Sequence, residues 1–81
     1  MDTRVRDLHI GESAKIVGYR GGFSPYRTRL LTMGLTRGAS IRLLKVAPMG
    51  DPVELEVRGF SLSLRKREAD VLILESEGAK A

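Results

Sequence analysis

Two stretches of the chain alternate strictly between apolar and polar residues. Val53-Glu54-Leu55-Glu56-Val57 and Phe60-Ser61-Leu62-Ser63-Leu64 each place three apolar side chains on one face and two polar ones on the other. That is the period of a half-buried β-strand. Arg58-Gly59 between them predicts a two-residue hairpin turn. Upstream, residues 13–19 predict a first strand, with Ala14, Ile16 and Gly18 on one face and Lys15, Val17 and Tyr19 on the other. Residues 39–47 predict a second. There Ile41 and Leu43 share one parity while Leu44 and Val46 take the other, a phase change that predicts a bulge near Leu43-Leu44. Residues 71–74 are continuously apolar and predict a last strand, after a polar turn over 65–70 with room for one turn of helix.

The pattern changes to a helical period only once. Tyr26, Leu30 and Met33 recur at i, i+4 and i+7 and share a face, while Arg27 and Arg29 lie off it. Ser24-Pro25 supplies a cap and a proline at the first helical position, and Phe23 precedes them where a hydrophobic staple packs. Gly34 sits where a left-handed residue ends a helix, so the helix runs from 24 to about 33. Near the N-terminus, Leu8 and Ile10 read as core anchors in a turn closed by Gly11. Phe23 and Phe60 read as internal. Five short, evenly spaced strands with one early helix predict a small β-barrel, in which closure removes the exposed sheet edges.

Length and charge sharpen this picture. The chain has 81 residues, enough for one domain, here 1–81 with an ordered core over about 6–75 and a tail over 76–81. A chain of this size buries only about 60% of its unfolded surface. It has no cysteine, which removes disulfides and thiolate metal sites and is compatible with a reducing cytosol. No apolar run approaches the ~20 residues that span a bilayer, and no signal-peptide core follows the N-terminus, so a soluble, cytoplasmic protein is expected. The net charge is +4 and unevenly spread. Residues 13–50 hold Lys15, Arg20, Arg27, Arg29, Arg37, Arg42 and Lys45 and no acid, whereas 51–81 are mixed. A basic half favours an acidic partner.

Chemistry finds little support. His9 is the single histidine, and a catalytic triad built around it beside Asp7 is outweighed by a surface histidine. Ser13, Ser24, Ser40, Ser61 and Ser63 are accounted for as cap, turn and strand residues. Glu54 and Glu56 project from one strand face with Asp51 nearby, and His9 and Glu12 form a looser pair; both read as solvated charge rather than a cation site. Gly18, Gly21 and Gly22 precede a helix but match neither phosphate-binding glycine pattern. Single-stranded nucleic acid needs stacking aromatics beside a basic groove, and the chain has four aromatics in all. Hence no enzyme, no metal site, no cofactor and no specific nucleic acid is expected.

Four segments in order resemble the ferrous iron transport protein A (FeoA) family, SH3-like barrels of bacteria and archaea. They are Leu8-x-x-Gly11-Glu12, the run from Arg29 to Gly34-Leu35-x-x-Gly38, the loop Ala47-Pro48-Met49-Gly50-Asp51-Pro52-Val53, and Gly59-x-Ser61-Leu62-x-Leu64-Arg65-x-x-Glu68-Ala69. Arg37 departs from the family, where a proline often precedes the glycine. The resemblance implies a mainly β, five-stranded SH3-like barrel with one short helix between strands 1 and 2. It implies an adaptor or regulator of the membrane Fe(II) transporter ferrous iron transport protein B, touching the membrane only through that partner. The alternative is an SH3-like nucleic-acid-binding or iron-dependent-repressor-type accessory domain; that no DNA-binding helix-turn-helix precedes the barrel argues against a whole repressor. The expected docking surface is the basic helix and the turn after it: Arg27, Arg29, Met33, Leu35 and Arg37, with Leu35 left partly exposed where the chain reverses.

Overall fold

The computed structural model describes residues 3–21 and 25–77. A short 3-10 turn at Val5–Asp7 leads to β1 (Ser13–Tyr19), α1 (Pro25–Thr32), β2 (Ser40–Val46), β3 (Val53–Val57), β4 (Phe60–Leu64), α2 (Lys66–Ala69) and β5 (Leu72–Ser76). The five strands form one antiparallel sheet in the order β4-β3-β2-β1-β5. The mainly β architecture and the position of the helix agree with the sequence reading. The Ser24 cap and the Phe23 staple fall outside the described residues.

The expected closure does not occur. β4 and β5 are the two edges of the sheet, and no ladder joins them. The reason lies in the link between them: α2 stands there and buries Glu68 and Ala69. The β5 edge is partly covered by Thr3, which exchanges two backbone hydrogen bonds with Leu74 at 3.2 and 2.9 Å.

Turn chemistry fixes the registers. Arg58 and Gly59 both have positive φ, 53° and 84°, as a type I′ turn requires, and the hairpin closes on Val57 opposite Phe60. The register of β2 against β3 shifts between Leu43 and Lys45, the bulge that the phase change predicts. A second shift, in β1 against β5 between Ile16 and Gly18, has no sequence signal that we recognise.

One face of the sheet and the buried side of α1 enclose the core. Ile16, Leu30, Leu35, Ile41, Leu43, Leu55, Leu64, Leu72 and Leu74 are all buried there, with Tyr19, Met33, Leu62 and Val71 packed against them. Val5 also belongs to it, from a 3-10 turn that the sequence reading passed over.

Two anchors were misplaced. Leu8 is buried, but Ile10 is 66% exposed. The Glu12 N–H bonds the His9 carbonyl at 2.9 Å, so Ile10 and Gly11 form the tip of a tight turn, where side chains face water. Phe60 is 71% exposed. Its parity is right, but it ends an edge strand with nothing beyond it.

Candidate functional site

The helix and its following turn are built by one local device. Gly34 adopts φ 91°. Its N–H bonds the Leu31 carbonyl at 3.1 Å, and the Leu35 N–H bonds the Leu30 carbonyl at 3.0 Å. These are the two bonds of a Schellman stop, which carries the residue after the glycine back towards the last helical turn. Leu35 is therefore fully buried in the same cluster as Leu30, not partly exposed as expected. Its side chain is unavailable to a partner.

The buried Leu35 anchors a cationic surface. Tyr19, at the end of β1, donates its hydroxyl to the Leu35 carbonyl at 2.6 Å. The Arg27 guanidinium lies over the Tyr19 ring, 5.3 Å from its centroid. Arg37 reaches back over β1, its Nη2 4.0 Å from where a side-chain carbon on Gly18 would sit. Burial raises the pKa of the Tyr19 hydroxyl, and the positive charges of Arg27 and Arg37 partly oppose that rise. Arg58 in the β3–β4 turn donates to Thr36 Oγ1 at 3.2 Å, which brings a third arginine to the same side. Sequence reasoning placed Arg27 and Arg37 here but missed Tyr19 and Arg58. An aromatic in phase with the outer face of β1 was the signal available for Tyr19.

The five expected docking residues thus divide. Arg27 and Arg37 are exposed together around Tyr19, and Met33 is half-buried against the core. Leu35 is internal. Arg29 points towards α2 instead, where its Nε is 3.0 Å from Glu68 Oε2. Leu31, 41% exposed, adds apolar surface on the helix that the sequence reading did not select.

Three of the acidic candidates have structural partners. Asp51 Oδ1 accepts from the Lys66 N–H at 2.9 Å, at the start of α2. Glu56 faces Arg42 across the ladder at 3.9 Å, and Glu12 accepts from the His9 N–H at 2.8 Å. No group of three or more His, Asp or Glu side chains among the described residues is placed to hold a metal ion. No helix of the described residues is long and apolar enough to cross a membrane.

Residues 3–76 match the FeoA domain. The chain is 35% identical over 72 residues to an Fe(2+) transport protein A/Fe(2+) transporter FeoB fusion protein of Porphyromonas gingivalis, a match that covers 89% of this chain and 8% of that one. The NMR structure of a FeoA-like protein from Clostridium acetobutylicum superposes with a TM-score of 0.87 at 35% identity, covering 99% of this chain and 92% of the other. A manganese-dependent transcriptional repressor complexed with manganese superposes at 0.83, but at 10% identity, covering 93% of this chain and 36% of the repressor; that likeness is one of fold alone.

Proposed function

We propose a function from one premise: the chain belongs to the FeoA domain family. It acts in ferrous iron transport, as an adaptor or regulator that contacts the transporter FeoB. The observation that carries this reading is the fusion relative, in which a stretch similar to this chain shares a polypeptide with an Fe(2+) transporter. Fusion holds two partners at high effective concentration, and it is productive where the separate proteins already meet. A binding module without catalysis suits the site, which offers a cationic surface rather than a nucleophile with its base.

The contact runs through Arg27 and Arg37 on either side of Tyr19, with Leu31 and Met33 as the apolar part. Tyr19 and the Schellman stop fix the backbone beneath both arginines. Two guanidinium groups gathered on one side steer an acidic surface towards them. Arg29 is left out, because Glu68 already holds it.

The experiment is a pull-down with the separate cytosolic domains of FeoB. Arg27→Glu with Arg37→Glu keeps the fold and loses the transporter. A folded double variant that binds FeoB as tightly as wild type overturns this surface.

A further inference from the structure

We propose that the free edge of β4 accepts an extended segment of a partner chain as a sixth strand, one with alternating apolar residues and an acidic side chain at each end. The proposal does not depend on the transporter reading: it rests on the backbone of β4, and the two share only Arg58. The type I′ turn closes on a hydrogen-bonded pair, Val57 and Phe60. Antiparallel pairs then alternate, so Leu55 with Leu62 and Val53 with Leu64 bond each other, while Ser61 and Ser63 turn their N–H and C=O groups away from β3. Among the described residues, no other backbone hydrogen bond reaches Ser61 or Ser63.

Sheet edges are normally guarded by charge, proline, a bulge or a covering segment. The two edges here differ. β5 carries Glu75 and is bridged by Thr3. β4, Phe-Ser-Leu-Ser-Leu, has no charge, no proline and no register shift. Its apolar side is also unfinished: Phe60 is 71% exposed and Leu62 is only half-buried. An added strand would pair with Ser61 and Ser63 through its backbone and cover Phe60 and Leu62 with its apolar face.

Charge selects the occupant. Arg58 precedes the strand, and Arg65, Lys66 and Arg67 follow it. In a two-fold pair of β4 strands centred on Leu62, the basic residues flanking each strand, Arg58 before it and Arg65 to Arg67 after it, would be brought to the same ends, so like charges would gather at both ends. A second copy of this chain is therefore disfavoured, and an extended segment with acidic ends matches both. Its middle stays uncharged, because Glu54 and Glu56 lie one strand away beside Ser63 and Ser61.

The test uses the full chain, labelled for NMR, and a synthetic heptapeptide of alternating valine and threonine with aspartate at both ends. At about 1 mM peptide, a weak but ordinary affinity range, the Ser61 and Ser63 amides gain protection from hydrogen exchange. A peptide with lysine at both ends binds about tenfold more weakly or not at all. Ser61→Pro removes one outward N–H, a change that edge strands tolerate, and abolishes the protection at Ser63. N-methylation of the peptide amides is the second check, since it blocks pairing without altering this chain. Four outcomes overturn the proposal: no protection at that concentration, equal binding of both peptides, binding that survives N-methylation, or concentration-dependent pairing of the chain with itself through Ser61 and Ser63.

Discussion

Arg29 Nε lies 3.0 Å from Glu68 Oε2 and ties the helix after β1 to the helical turn before β5. The carboxylate is buried while the arginine is largely exposed. Its other oxygen, Oε1, accepts from the Arg65 N–H at 3.0 Å, so one side chain both caps α2 and holds α1. Removing either partner is therefore unequal. Arg29 without Glu68 returns to water, whereas Glu68 without Arg29 stays inside.

Glu68→Ala is expected to cost about 1–3 kcal/mol through the lost cap and the lost charged hydrogen bond. Arg29→Glu sets a second carboxylate against the buried one and is expected to cost about 3 kcal/mol or more. Urea unfolding of the two variants measures both, and equal small effects would show that the pair is no more than a surface contact.

Gly34→Ala meets no atom within 4 Å but must hold φ near 91°. The strain is conformational rather than steric, and a loss of about 1–2 kcal/mol is expected. A thermal midpoint unchanged from wild type would show that the Schellman stop contributes nothing.

Leu55 is fully buried, and Leu55→Ala is expected to cost about 2–5 kcal/mol. Leu62 packs on the core from the edge strand, so Leu62→Ala is expected to cost less, about 1–2 kcal/mol at the low end of such changes. Denaturant midpoints of the two variants rank them, and the reverse order would displace Leu62 into the interior.

Tyr19 gives a pH dependence at the alkaline end. Its pKa is raised in the folded state, so the folded chain holds the phenolic proton more tightly than the unfolded chain does. Its contribution is intact below the ordinary tyrosine value of about 10 and is lost as pH rises from there through the raised folded value. Tyr19→Phe removes the bond to the Leu35 carbonyl and should flatten that part of the stability curve. An unchanged curve in the variant would assign the alkaline loss to another group.

Strand and turn positions along the chain were legible because they rest on local rules: alternation in β3 and β4, Arg58-Gly59 between them, the parity slip at Leu44. Depth was not. Alternation says which face Phe60 occupies but not that β4 has no neighbour beyond it. Leu35 was misread for a related reason. Its position after Gly34 is a local feature, but only the bond from its own N–H to Leu30 turns it inward. Arg29 and Glu68 are 39 positions apart, and nothing in either one's surroundings announces the other.

The pairing of β1 with β5 joins the two ends of the sequence, with Ala14 opposite Ser76 and Tyr19 opposite Leu72. During synthesis β1, β2, β3 and β4 all leave the ribosome before β1 can find its second neighbour. Until then the side of the core formed by Leu72 and Leu74 is missing, and Ile16 faces solvent. The nascent domain therefore carries an open strand until residues 72–76 have left the ribosome. Emergence of β5 completes the sheet, and a chain stopped before β5 should be a substrate for chaperones and proteases rather than a shorter version of the domain.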